Sequence, residues 1–415
     1  MYLTHVAHLR GAKGEYEIVK RLTKLSKNLY NYALYIERQF FFFNHDYLPY
    51  KRMYHEVKEN ENFKLLPPQS ARATTRMAEK AIKSFIRVLK ERKKGNYNRP
   101  VGLPKYLPKD GYMVCVMPKE MLRKEGNKIR CTLGKRFREK YGEMYLRFPL
   151  PERIADKEIK EIWLVPRYNA TYFEVCYIYE DEKEEIELDK NKYLGIDLGL
   201  DNFATCVDTN GTSFIIEGKG LKSYNRWWNK EKAKLQSQYD RQGIRTGKKM
   251  AQLLWKRRKV INNYMNQAVA HIIKHCLDNK IGNIVIGELK GIKQNINHGR
   301  KNNQNFSYIP YGIFKRKLRS KAEKYGIEVI EVNERDTSKT CSVCGVKKGS
   351  NRKHRGLYVC SECGSVLNAD VNGAVNIIKK VAPESIRIGS SGGWSPPKRC
   401  FVASFEGICK KEEIP

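Results

Sequence analysis

Apolar residues recur at helical spacing through the first hundred positions. Ile18, Leu22, Leu25, Leu29 and Tyr32 fall on one stripe. After Pro67-Pro68 a second stripe carries Met77, Ala81, Phe85 and Leu89. Spacings of three and four residues place side chains on one face of a helix, so residues 16–95 are predicted to be helical. A weak strand signal precedes them over residues 1–15. Pro100, Pro104 and Pro108 then mark an extended connector. From 110 to 180 the pattern favours strands, as in residues 112–117 and 171–179. The acidic stretch 180–189 interrupts it and predicts a domain boundary. Beyond 190 the order changes. Residues 192–197 and 203–208 are apolar, β-rich runs, and the second turns across Thr209-Asn210-Gly211 into 212–217, a hairpin signal. A long basic helical region over 221–280 follows, then a buried-strand pattern over 283–288. A helix over 310–325, a strand over 326–333 and a helix over 368–381 complete the series. Three strands, helix, strand, helix, strand, helix is the order of an RNase H-like fold, so the expected class is multidomain α+β.

Length and charge change the picture in one respect each. The 415 residues are long for one core and predict about two to four domains, and 41% hydrophobic residues suffice for sizeable cores. The formal net charge is +35, from 80 Lys+Arg against 45 Asp+Glu. Charge on that scale implies a polyanionic partner rather than a merely soluble basic surface. A membrane partner is disfavoured, because no strongly apolar helix face accompanies the charge and no apolar run is long enough to span a bilayer. The N-terminus has no apolar signal core, and the expected location is the prokaryotic cytoplasm. The basic residues gather at 221–260, with thirteen Lys/Arg against two acids, and at 81–105, with eight against one. Tyr224, Trp227, Trp228 and Trp255 interleave the first stretch and are available for base stacking.

Three acids occupy positions where an acid is costly. Asp197 ends the first strand in Gly195-Ile-Asp-Leu-Gly199, Glu288 ends the later strand, and Asp370 opens the last helix in Asn368-Ala-Asp-Val-Asn372. An acid at the end of a buried strand must be paired or bind a cation. Singly, each has a plainer reading, as a turn residue or a helix N-terminal acid, and Asp201 competes with Asp197. Together with the fold order they suit two Mg²⁺ ions, which favour carboxylate oxygen and can serve phosphodiester cleavage.

Four cysteines form a separate site. Cys341-x2-Cys344 and Cys360-x2-Cys363 lie fifteen residues apart, the spacing of a zinc ribbon closed by four thiolates around a structural Zn²⁺. Disulfides are not expected in the cytosol, and Cys115, Cys131, Cys176, Cys206 and Cys276 are expected to be core thiols. Residues 299–305 are predicted to form a mobile polar loop near Glu288. The tail from 383 is expected to be poorly ordered.

These motifs together resemble the split RuvC nuclease of the transposon-encoded TnpB proteins and of the miniature type V-F CRISPR effectors. The resemblance is specific over residues 190–382 and covers layout more than motifs before that. It implies an RNA-guided DNA endonuclease whose partners are a guide RNA and double-stranded target DNA, with a homodimer on one guide RNA in the type V-F case. The family's acids map onto Asp197, Glu288 and Asp370, and an auxiliary arginine onto Arg355, with Arg352 as competitor. The family plan implies a wedge-like β-barrel from 1–15 and 100–180, a helical recognition domain at 16–99 and a linker at 181–191. It further implies a RuvC nuclease domain from 192–340 and 364–382, a zinc ribbon at 341–363 and a tail at 383–415. The N-terminal half would read a short motif beside the target while base pairing supplies sequence specificity. The type V-F reading is preferred over TnpB, because the start lacks a short strand motif with Tyr-Pro. A DDE-type transposase has a similar fold, but its acids run Asp, Asp, Glu, whereas here they run Asp, Glu, Asp. A non-cleaving binding protein would be expected to have lost an acid.

Overall fold

The computed structural model describes residues 1–9, 13–184, 186–288, 308–354, 356–386 and 397–401. It divides into two compact units, Met1–Asp181 and Glu182–Pro415. Among the described residues no helix is long and apolar enough to cross a membrane.

In the first unit, β1 (Tyr2–His8) precedes four helices: α1 (Lys13–Asn44), α2 (Tyr50–Val57), α3 (Glu61–Leu65) and α4 (Pro68–Lys93). Ile18, Leu22, Leu25 and Leu29 are buried as the α1 stripe requires, whereas Tyr32 is exposed and Ala33 and Leu34 continue the core. In α4 the buried stripe is displaced by one residue from the expected one, to Ala71, Thr75, Ala78, Ile82 and Ile86. Thr74 and Thr75 join it because each hydroxyl donates to the carbonyl four residues back, on Ser70 and Ala71. The strands β2 (Cys115–Pro118), β6 (Ile159–Arg167) and β7 (Tyr172–Glu180) form one sheet with β1, in the order β1-β7-β6-β2. A second sheet holds β3 (Leu122–Glu125), β4 (Lys128–Thr132) and β5 (Tyr145–Pro149), with α5 (Lys135–Tyr141) between β4 and β5.

The second unit is built on β8 (Asp189–Leu198), β9 (Asn202–Asp208) and β10 (Ser213–Glu217), an antiparallel meander. The basic region then splits into two helices, α6 (Lys219–Arg241) and α7 (Lys248–Asp278), rather than one. Strand β11 (Ile281–Glu288) pairs parallel to β8. After α8 (Tyr311–Lys324), β12 (Glu328–Asn333) pairs parallel to β11. The short strands β13 (Arg352–His354), β14 (Leu357–Val359) and β15 (Val366–Leu367) make a small separate sheet, and α9 (Ala369–Lys379) follows. Three antiparallel strands extended by two parallel ones is the RNase H-like arrangement that the element order predicted. One addition was not predicted: β16 (Lys398–Cys400), within the tail, pairs parallel to β10 and closes the order β12-β11-β8-β9-β10-β16.

The two faces of this sheet are covered differently, and that positions the site. Leu194, Ile196 and Leu198 of β8, with Ile284 and Ile286 of β11, pack under α7 and α8 among Ile261, Met265, Phe314 and Leu318. On the other face, Val207 packs with Val371, Ala374, Val375 and Ile378 of α9. Side chains alternate between faces along a strand, so Gly195 and Asp197 lie on the α9 face.

Candidate active site

The site begins where α9 crosses β8. Gly373 has no side chain, and a Cβ there would stand 2.8 Å from Oδ2 of Asp197. The glycine therefore lets the helix close over the acid. The N-terminus of α9 is fixed by Asn368, whose side chain accepts from the backbone N–H groups of Asp370 and Val371. That cap sets Asp370 in the first turn. The result is a cavity of about 460 Å³ lined by Asp197, Asp201, Asn202, Glu334, Arg352, Asp370 and others.

Asp197, Glu334 and Asp370 line this cavity beside Asp201, and Glu334 is not among the acids singled out from the sequence. Burial pushes the Asp197 carboxyl up to about 8; Glu334 and then Asp370 push the same way, while Arg352 opposes them. Burial likewise holds Glu334 above its usual range, against the nearby Lys315 ammonium. Glu334 follows the end of β12 and folds back over β11. A Cβ built on Gly287 would stand 1.7 Å from its Oε1, so Glu334 fills the space a side chain at 287 would take. That Oε1 is buried and, among the described residues, has no hydrogen-bond partner.

Glu288 is placed differently. It follows Ile284 and Ile286 at even positions of β11, on the α7/α8 face, whereas Gly287 shares the face of Asp197. Glu288 does not line the cavity. The structure thus lines one cavity with Asp197, Glu334 and Asp370, and Glu288 is not among its lining residues. The signal was present in the sequence: strict alternation from Ile284 and Ile286 puts Glu288 with the core residues and a glycine opposite Asp197. Asp201 lines the cavity but is held by the Lys222 ammonium at 2.6 Å.

Cations surround these acids. Arg352 donates through Nη2 to Oδ1 of Asp370 at 2.9 Å, and Asn202 donates to its Oδ2 at 2.7 Å. Arg355 lies outside the described residues, as does the 299–305 loop, so of the two candidate arginines it is Arg352 that is seen at the acids. Three of the four aromatic residues expected to be available for stacking are packed inward, and Trp227 is half-buried. Tyr224, Trp228 and Trp255 are buried, and the Arg257 guanidinium covers the Trp228 ring at 4.4 Å while it is bonded to Asn225 and the Tyr308 carbonyl.

The four cysteines come together as expected. Their sulfurs lie within 4.8 Å of one another, and among the described residues they are the one group of three or more ligand-type side chains so gathered. Cys115, Cys131, Cys176, Cys206 and Cys276 are buried. Two asparagines of α9 bind the ribbon's base: Asn372 donates to the Thr340 carbonyl and accepts from the Ser342 N–H, and Asn376 donates to the Thr337 and Thr340 carbonyls. One helix therefore carries Asp370 and the ribbon's anchor.

Fold and site define a class: an α+β protein with an RNase H-like unit, a carboxylate cavity at its central strand and an inserted four-cysteine cluster that fits a zinc ribbon. Comparison narrows the class. Residues 311–377 match the sequence profile of the Cas12f1-like TNB domain, and residues 175–293 match that of OrfB_IS605, described as a probable transposase. The chain is 26% identical over 397 residues to the TnpB-like protein ORF457 of Acidianus two-tailed virus, covering 87% of this chain and 83% of that one. It is 28% identical over 237 residues to the CRISPR-associated endodeoxyribonuclease Cas12f1 of Sulfoacidibacillus thermotolerans, covering 53% of this chain and 54% of that one. Its fold is similar to that of Cas12f1 in a complex with sgRNA and target DNA, with a TM-score of 0.61, 19% identity and coverage of 87% and 82%. The chain is thus a relative of the TnpB-like and Cas12f1 proteins.

Proposed function

We propose that this chain is an RNA-guided DNA endonuclease that hydrolyses phosphodiester bonds at the Asp197 cavity. The observation that carries the reading is the convergence of Asp197, Glu334 and Asp370 in one cavity beside Arg352. The donor set suits a hard divalent cation: all the acids offer oxygen, and among the described residues the buried Oε1 of Glu334 has no hydrogen-bond partner. Asp197, Glu334 and Asp370 would hold a pair of Mg²⁺ ions. When bound, such a pair activates water and offsets charge on the leaving oxygen. The protein's own part is positional. Gly373 holds α9 against Asp197, Asn368 fixes Asp370, and Arg352 offers a guanidinium for a phosphate once a cation takes its place on Asp370. The four thiolates would hold Zn²⁺ and fix the ribbon on α9.

The first unit would supply the wedge and helical recognition parts that hold the guide duplex and read the target-adjacent motif. From the sequence alone a type V-F effector is preferred, although its motifs are shared with TnpB. The end-to-end similarity to ORF457, against half-length similarity to Cas12f1, favours the transposon type, TnpB, instead. In both readings the chemistry is the same. The test is cleavage of a matched duplex in Mg²⁺ by the protein carrying its guide RNA. Asp197→Ala should lose at least about 100-fold in rate, because a metal-holding acid contributes several kcal/mol to the transition state, while guided DNA binding persists. Near-wild-type cleavage by that variant would sink the assignment.

A further inference from the structure

The last strand brings a second arginine to the cavity. In β16, Arg399 sits beside Ile215 of β10, and its side chain lines the same cavity as Asp197 and Asp370. Its Nη1 donates to Oε2 of Glu217 at 2.8 Å and lies 3.5 Å from Oδ1 of Asn202. Asn202 in turn donates to Oδ2 of Asp370. Asp370 is therefore flanked by guanidinium groups on two sides: Arg352 directly at Oδ1, and Arg399 through Asn202 at Oδ2.

The two arginines differ in what remains free. Among the described residues, the partners of Arg399 all engage Nη1, which leaves Nε and Nη2 without a protein acceptor. The side chain is 49% exposed, whereas its anchor Glu217 is 9% exposed. A largely buried carboxylate thus holds one edge of the guanidinium, and among the described residues the other edge has no acceptor. A planar guanidinium with free N–H groups at the rim of an acidic cavity has a specific use. It offers a paired donor to phosphate oxygens, which the acids of the cavity would otherwise repel.

We infer that Arg399 is a substrate-contacting residue that binds a phosphate of the DNA strand entering the cavity, and that β16 exists in part to deliver it. The inference rests on the nuclease reading of the cavity. It extends that reading to a residue in the tail, a segment expected from the sequence to be poorly ordered. Glu217 and Asn202 are positioning residues in this account: Glu217 orients the guanidinium, and Asn202 links it to Asp370.

The test uses the full chain with its guide RNA and two readouts. The first is single-turnover cleavage of a matched duplex. Arg399→Ala should cleave about 10- to 100-fold more slowly, and Arg399→Lys, which keeps the charge but not the paired donor, should recover part of the rate. The second is independent of cleavage. In the Asp197→Ala background, binding of a short single-stranded DNA oligonucleotide is titrated against salt, with and without Arg399→Ala. Loss of one phosphate contact should lower the slope of log affinity against log salt by about 0.7. An unchanged slope overturns the inference, whatever the cleavage rate. So do equal losses in the Ala and Lys variants accompanied by lowered thermal stability, since both would mean that Arg399 only anchors the strand to Glu217. Failure of the nuclease reading shows separately, as Asp197→Ala cleaving like the wild type.

Discussion

Position 287 decides which acid reaches Asp197. A side chain there would share the face of Asp197, but the residue is glycine, and Glu334, just past the end of β12, occupies the space. The sequence made Asp197 and Asp370 legible because each stands at the end of an element with apolar neighbours. Glu288 attracted attention for the same reason; it shares the parity of Ile284 and Ile286 and is not among the residues that line the cavity. Glu334 was not legible because its approach depends on a contact between strands that are far apart in sequence. A paired substitution separates the two acids. Glu334→Gln keeps the shape and removes a cation ligand, so it should reduce Mg²⁺-dependent cleavage by about 100-fold or more, whereas Glu288→Gln should stay within about threefold of wild type. The reverse order, measured in the same single-turnover assay, would return the metal site to Glu288.

At the scale of elements, period and punctuation located most of the sheet and helices, and what they missed has local causes. The buried stripe of α4 escaped because it includes Thr75, whose hydroxyl is satisfied by its own helix and so packs like an apolar residue. The break between α6 and α7 falls in a basic stretch that continues the same charge pattern on both sides, so charge alone did not mark it. Strand β16 escaped because three residues carry too little periodicity to read. The four-cysteine cluster was legible, since ligand spacing is a property of the chain itself. What the spacing did not show is its coupling to the cavity through Asn372 and Asn376 of α9. Freshly purified protein should therefore contain about one zinc per chain. Cys360→Ser should lower zinc content and the melting temperature together, and should slow cleavage because the helix carrying Asp370 loses its anchored partner. A metal analysis that finds no zinc in the wild type would refute this.

For the whole molecule the governing quantity is the net charge of +35. Basic stretches occur in both units, at 81–105 and at 221–260, and each is suited to a polyanion. Under the proposed function, a structured guide RNA would fill that role before any DNA arrives. Without it, binding to duplex DNA reduces to phosphate contacts, which carry no sequence information and weaken steeply with salt. With it, base pairing would supply specificity and part of the binding energy. That RNA supplies the recognition is the central claim, and a filter-binding titration of one target duplex against salt tests it most directly, with the chain free and with the chain carrying RNA copurified from its own locus. The account predicts weak, steeply salt-dependent and sequence-indifferent binding by the free chain, and tight, sequence-specific and less salt-dependent binding by the RNA complex. Tight binding of one particular duplex sequence by the RNA-free chain at physiological salt would contradict it.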